Sequence, residues 1–255
     1  MEASREHLAA VEAGLDAAAS RKTEHDLRKK MRVIHDEVPP DYYDRSMAEN
    51  PFQRFWHSRR VSAITSLLKG EDARMLDIGC GGGTLLDKIS EKGSLKWSAG
   101  VDASLGAIKY ANESHGGPKF LCADFYELPF EDSSFGFISA IEVLEHLHEP
   151  REALIELNRC LEDRGKLLVL VPNEQSLLFR VIWHFWTKGK GKVWKEAHVQ
   201  KFTEESLEEL LNSAGFTVTK KKKFLFGMLV AMKGKKVAEI SPISKAFFTR
   251  KAKRA

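Results

Sequence analysis

The alternation of apolar and polar positions changes character along these 255 residues. Up to about residue 38 the chain is rich in Ala, Glu, Lys and Arg. Leu8, Val11 and Leu15 recur there at helical spacing, which predicts one or two amphipathic helices ahead of the main domain. Pro39 and Pro40 close that stretch, because proline lacks an N–H and restricts the residue before it. Tyr42 to Leu68 reads as a second helical region, whose Tyr42, Tyr43, Phe52, Phe55 and Trp56 suit packing. From Arg74 the period shortens. Apolar runs at 74–78, 98–102, 120–122, 137–141 and 166–171 read as strands, with helix-like stretches at 84–91, 105–113 and 151–161 between them. The run at 166–171 is almost wholly aliphatic, as expected of a strand covered on both faces. A helix over 203–214 stops at Gly215, and 217–219 and 224–232 supply closing antiparallel strands. Strands alternating with helices predict an α/β fold around a mainly parallel, doubly wound sheet. The organisation expected is a helical extension at 1–38, a domain at 39–232 with an apolar insert at about 174–202, and a basic tail at 233–255.

The turn after the first strand reads Gly79-Cys80-Gly81-Gly82-Gly83-Thr84. Glycines there let the backbone pass close to a ligand, and the helix N-terminus behind them favours negative charge. Asp77, two residues before the first glycine, suits a cationic amino group. Asp102 ends the second strand about 20 residues beyond the turn, where an acid can accept both hydroxyls of a ribose. Asp124 follows the third strand, placed to accept an adenine amino group, with Phe125 beside it to pack on the ring. Asp102 as a surface turn and Asp124 as a helix N-cap are the plainer readings. The order of these acids, each at a strand's C-terminal end, is what ligand binding in an open α/β sheet requires. A dinucleotide site would place a third glycine where Thr84 stands.

These motifs resemble the class I S-adenosylmethionine (SAM)-dependent methyltransferases over about Tyr42 to Val218, and most of all the ubiquinone-pathway O-methyltransferases. The resemblance rests on Leu76 to Gly83, on Gly100-Val101-Asp102, and on Ile141-Glu142-Val143-Leu144-Glu145-His146-Leu147. It implies a Rossmann-like, seven-stranded, mostly parallel sheet with helices on both faces. It also implies that Arg60 contacts the SAM carboxylate, that the loop with Gly79, Cys80 and Gly81 holds the methionine part, that Asp102, next to Ala103, holds the ribose, and that the backbone around Ile141 lines the cofactor. In the quinone family Glu-x-x-Glu-His is associated with a divalent metal. Glu142, Glu145 and His146 would share one face if a helix has begun, and a hard cation there could orient an acceptor oxygen. Against the metal stands the plainer reading, in which Glu142 shapes the cofactor pocket, Glu145 caps and His146 packs, and no metal ligand is assigned. Catalytic roles are expected at His146, as a base of near-neutral pKa, and at Glu142.

Ser176 to Thr187, SLLFRVIWHFWT, confines its polar Arg180, His184 and Thr187 to one stripe. A helix of about 18 Å is too short to cross a bilayer. Its wide apolar face, its tryptophans and the following Lys188, Lys190, Lys192 and Lys195 suit a helix lying in a membrane interface. The quinone enzymes carry an apolar insert in this place and then a His-x-x-Lys-Phe-like string, here His198-Val199-Gln200-Lys201-Phe202. That implies a hydrophobic or lipid-like acceptor, with O-methylation favoured and peripheral membrane contact through 176–195 and the tail. The alternative is a soluble small-molecule acceptor with the insert as an active-site lid.

Charge sharpens the first of these. From Lys233 to Ala255 eight Lys and Arg face one acid, Glu239, so the tail carries +7 of a chain total of +4 and the remainder is −3. Such a tail suits a polyanionic surface or a solvated terminus. Nucleic-acid methylation is the weaker reading, since no Asn-Pro-Pro-Tyr-like motif accompanies the tail. The odd set Cys80, Cys122 and Cys160 argues against a disulfide framework or a zinc site and for a reducing, cytoplasmic compartment. The first residues lack an apolar signal core, and no run of about 18 apolar residues occurs. The N-terminal extension and Phe224 to Val230 depart from the quinone family's pattern.

Overall fold

The computed structural model describes residues 38–68, 73–91, 95, 97–188 and 197–237. The helices expected within 1–37, the lysines at 190, 192 and 195, and the tail past residue 237 lie outside the described residues.

Among the described residues two helices come first, α1 (Tyr42–Glu49) and α2 (Pro51–Leu68). The alternation then runs β1 (Arg74–Ile78), α3 (Thr84–Ser90), β2 (Trp97–Asp102), α4 (Leu105–Ser114), β3 (Lys119–Cys122), β4 (Phe135–Ile141), a 3₁₀ turn (Leu144–His146), α5 (Pro150–Cys160) and β5 (Leu161–Pro172). It closes with α6 (Leu177–Thr187), α7 (Glu204–Ser213), β6 (Phe216–Phe224) and β7 (Leu229–Lys236). The seven strands form one sheet in the order β3-β2-β1-β4-β5-β7-β6. β1 to β5 are parallel, and β7 runs antiparallel between β5 and β6. The chain steps one way from β1 to β2 and the other way to β4. That reversal opens a crevice at the strands' C-terminal ends, where Ile78 pairs with both Val101 and Ala140.

Strand periodicity builds two cores. Met75, Phe137 and Leu168 point to one face, with Ile64 and Ile108. Their neighbours Leu76, Ile138 and Leu167 point to the other, with Leu154 and Phe216. Thr203 and Ser206 form a capping box at the start of α7. The buried Asn158 amide on α5 donates to Ala214 O and Gly215 O, which fixes the end of α7.

Two local features differ from the hydrophobic pattern. The apolar run 224–232 is not one strand. Leu225, Phe226 and Gly227 take left-handed φ of 51°, 59° and 79°, and the chain reverses there between β6 and β7. The lysines 220–223 therefore lie within β6, the sheet's edge, where charge discourages further strand pairing. Lys221 and Lys223 reach Glu208 and Glu204 on α7 at 2.5 and 2.7 Å. β7 continues past residue 232 to Lys236, because β5 offers it a ladder as far as Lys166, and Lys236 Nζ donates to Leu161 O. The second feature is the segment after β4. Glu142 has a left-handed φ of 57°, and only a 3₁₀ turn follows. Glu142, Glu145 and His146 therefore do not share a helix face, and the metal set considered from their spacing is not assembled.

Candidate active site

The glycine loop fills the crevice. Gly79 and Gly81 have φ of 70° and 53°, a region that L side chains rarely enter. A Cβ on Gly79 would lie 2.4 Å from Val143 Cγ2, so this glycine serves the chain's own packing. A Cβ on Gly81 would meet nothing nearer than Tyr43 at 4.0 Å, so this one faces open space. Asp102 holds the loop: its carboxylate accepts from Gly81 N and Ser104 N, each at 2.9 Å. A strap crosses above. Asp44 on α1 accepts from Thr84 Oγ1 at 3.0 Å and from the Tyr110 hydroxyl at 2.9 Å, and Pro40 O sits where a Cβ on Gly82 would be.

From the loop a chamber of about 290 Å³ extends to α6. Arg60, Gly79, Gly81, Asp102, Ala103, Asp124, Phe125 and Ile141 line it, as do Glu142 and His146. Asp77 and Cys80 instead border a smaller cavity of about 50 Å³ behind the loop, which shares Arg60, Gly79 and Ile141 with the first. Asp77 is buried and accepts a hydrogen bond from Ser139 Oγ. Burial pushes its carboxyl up to about 7, with the Ser139 bond opposing, Asp102 adding and Arg60 opposing. Asp124 Oδ1 accepts from Tyr126 N at 3.0 Å.

Arg60 anchors the next part of the wall. Its Nη1 lies 2.9 Å from Glu142 Oε2 and 3.3 Å from His57 Nδ1, while its buried Nε has no hydrogen-bond partner. Burial, then the Arg60 charge, lowers His57 to about 3, so its neutral ring accepts from the guanidinium. Burial raises Tyr43 to about 12, and its ring meets His57 edge-on at 5.2 Å.

A second polar group gathers in the chamber wall. Atoms of Glu145, His146 and His198 lie within 4.8 Å of one another, close enough to share one guest, whether a cation or a hydrogen-bonding head group. Glu145 is 1% exposed, and neither of its carboxyl oxygens has a hydrogen-bond partner. Its backbone carbonyl accepts from Val199 N and Gln200 N, which ties the 198–202 string to the 3₁₀ turn. His146 Nδ1 donates to Ala197 O at 2.8 Å. His198 Nδ1 donates to Glu174 Oε1 at 2.8 Å, and Lys201 stands 3.6 Å from the other oxygen of Glu174. The two imidazoles are 5.1 Å apart, and Trp183 lies 4.5 Å from His198. Sequence reasoning assigned no role to Glu174 or His198. The one trace of His198 was its place in the His-x-x-Lys-Phe-like string.

The chamber's outer wall is α6. Phe179, Ile182, Trp183 and Trp186 line the cavity, opposite Phe52 and Trp56 of α2. On the other side Leu177, Val181 and Phe185 are 74%, 46% and 69% exposed. The helix is apolar on both sides.

Residues 47–221 match the family model described as a methyltransferase domain. Among curated proteins, the chain is 26% identical over 195 residues to the ubiquinone/menaquinone biosynthesis C-methyltransferase UbiE of Campylobacter jejuni, covering 68% of this chain and 83% of that one. It is 33% identical over 108 residues to the uncharacterized protein MJ0638 of Methanocaldococcus jannaschii, covering 42% of this chain but only 44% of that relative's length. Among solved structures, a SAM-dependent methyltransferase of Thermotoga maritima, described as a possible histamine N-methyltransferase, superposes with a TM-score of 0.66 at 24% identity, over 81% of this chain and all of that one.

Proposed function

Because the chain belongs to the methyltransferase-domain family and is a class I SAM-dependent methyltransferase, we propose that it methylates a hydrophobic, lipid-like acceptor on oxygen, at a membrane surface. The observation that carries this reading is α6, apolar toward the chamber and apolar toward solvent. A helix of that kind suits an acceptor that arrives from an apolar phase. Among the described residues no helix is long and apolar enough to cross a membrane, so the contact proposed is peripheral.

When bound, SAM supplies an electrophilic methyl group on a sulfonium. The residues present fit such a guest. Gly81 leaves the loop open, and Asp102, engaged with two backbone N–H groups, keeps further lone pairs for ribose hydroxyls. In this reading Asp102 and Ala103 hold the ribose, Asp124 and Phe125 the adenine, and Ile141 the intervening wall. Gly79, Cys80 and Gly81 hold the methionine end, with Arg60 at its carboxylate and Asp77 at its amino group. Oxygen is preferred as the acceptor atom because the chamber wall offers a carboxyl and two imidazoles close together, groups suited to a proton that must leave. The name of the Campylobacter relative specifies carbon instead.

The test is incubation with methyl-labelled SAM and a total lipid extract. Label should move into the organic phase as a methyl ether, and the protein should sediment with anionic vesicles. Val181→Ser with Phe185→Ser should weaken sedimentation at least about fivefold. Label confined to water-soluble products, with no vesicle binding, would favour a soluble acceptor and α6 as a lid. Carbon methylation would show as a product whose methyl resists ether cleavage.

Asp77 adds a pH dependence. Its carboxyl is ionised above about 7 and protonated below. A cationic amino group needs the ionised form, so affinity for S-adenosylhomocysteine should fall by up to about tenfold from pH 8 to pH 6. Asp77→Asn should flatten that dependence in calorimetry.

A further inference from the structure

Glu145 is difficult to explain as a structural residue. It is 1% exposed and lines the chamber, and both of its carboxyl oxygens are buried without a hydrogen-bond partner. Burying such a group unsatisfied costs the fold and gains it nothing. Glu142, three residues earlier, is committed to Arg60. The two imidazoles beside Glu145 are held from behind, His146 by the Ala197 carbonyl and His198 by Glu174. All three side chains bring polar atoms to within 4.8 Å of one another. Around them the wall is aromatic, with Trp183 against His198. The arrangement is a polar seat in the wall of a largely apolar chamber, and the carboxyl oxygens of its most buried member have no hydrogen-bond partner.

We propose that Glu145 is the catalytic base, receiving the hydrogen bond of the acceptor's hydroxyl and then its proton, while His146 and His198 position that hydroxyl. This rests on the O-methylation reading above and deepens it. The balance is complete without a further reagent. The hydroxyl proton passes to a Glu145 oxygen, the acceptor oxygen bonds the methyl carbon, and the electron pair of the broken carbon–sulfur bond stays on sulfur. A methyl ether, a neutral thioether and a protonated Glu145 result.

The charged and titratable neighbours agree with that role. Burial raises the Glu145 carboxyl well above the usual carboxylate range and Glu142 adds to the rise; the residue's own backbone N–H and then Arg60 oppose it, and Glu174 adds last. The charged and titratable groups around it are Glu142 and Arg60, which line the chamber with it, His146 and His198 within reach, and Glu174 behind His198. A carboxyl raised in this way is a stronger proton acceptor once ionised. The sign for stability follows. The unfolded chain releases this proton above about pH 4.5 while the folded chain retains it, so the group lowers stability as pH rises from there.

The experiment compares the wild type with Glu145→Gln and His146→Gln in the full chain. Glu145→Gln should raise the melting temperature by about 3 °C or more at pH 8 and by little at pH 4.5, because it removes a buried ionisable group. It should leave S-adenosylhomocysteine affinity within about twofold and lower label transfer to the lipid extract at least about 100-fold. His146→Gln should lower transfer less, and should keep the wild-type dependence of rate on pH. A stability loss in Glu145→Gln at every pH would reveal a structural partner and overturn the inference, as would retained transfer. Loss of wild-type transfer on dialysis against EDTA, restored by Mg²⁺, would also overturn it, by making the seat a cation site. Absence of label transfer in the wild type itself would instead refute the function proposed above and remove the ground of this inference with it.

Discussion

Replacing Asp102 with Ala is expected to weaken S-adenosylhomocysteine binding at least about 100-fold, since charge-assisted hydrogen bonds contribute about 1.5–3 kcal/mol each. Two losses combine. The carboxylate proposed to hold the ribose disappears, and so does the acceptor that fixes Gly81 N and Ser104 N at 2.9 Å. Asp102→Asn separates them: its amide oxygen can retain one backbone bond, so an intermediate loss is expected. Calorimetry on both variants gives the comparison. An Asp102→Ala protein that binds within threefold of the wild type would show that the acid serves the turn alone.

The second large effect is on stability. Arg60 and Glu142 form a largely buried ion pair, with side-chain exposures of 8% and 21%. Arg60→Met leaves Glu142 without its cation, and breaking such a pair from one side costs about 3 kcal/mol. For a domain of this size that lowers the melting temperature by about 6–12 °C. Arg60→Met combined with Glu142→Gln should recover part of the loss, because the stranded charge is gone. If the double variant were as unstable as the sum of the two single ones, the pair would not be coupled. The effect would then belong to the contacts of Arg60 with His57 and Tyr43.

The middle of the sheet was readable from sequence because β1, β2, β4 and most of β5 are buried on both faces, so each appears as an apolar run ended by a turn. β1, with Asp77 inside it and glycines after it, is the clearest instance. The edge was harder to read. β6 carries four consecutive lysines, a pattern that resembles solvated coil until the ladder with β7 is seen. Asp102, Ala103, Asp124, Phe125 and Ile141 could likewise be placed on the chamber wall in advance, since each lies at or just past the end of its own strand, whereas Arg60 comes from α2 and Asp77 and Cys80 border the smaller cavity. The Glu145–His146–His198 cluster could not. Glu145, Glu174 and His198 are far apart in the chain, and they meet through the bonds from Val199 N and Gln200 N to Glu145 O, from His146 to Ala197 O and from His198 to Glu174. Nor could spacing reveal that Glu142 takes a left-handed conformation, which separates it from Glu145.

The position of β7 has a consequence for how the molecule is made. Synthesis delivers the glycine loop and the five parallel strands first, yet the outer edge of β5, from Lys166 to Pro172, pairs with residues 229–236. β6 also has its ladder with β7 and none with β5. A nascent chain stalled before residue 229 would carry an open strand edge beside an aliphatic core, the kind of surface that recruits chaperones or neighbouring chains. The sheet is thus sealed only when its last strand has left the ribosome and slipped between two that preceded it.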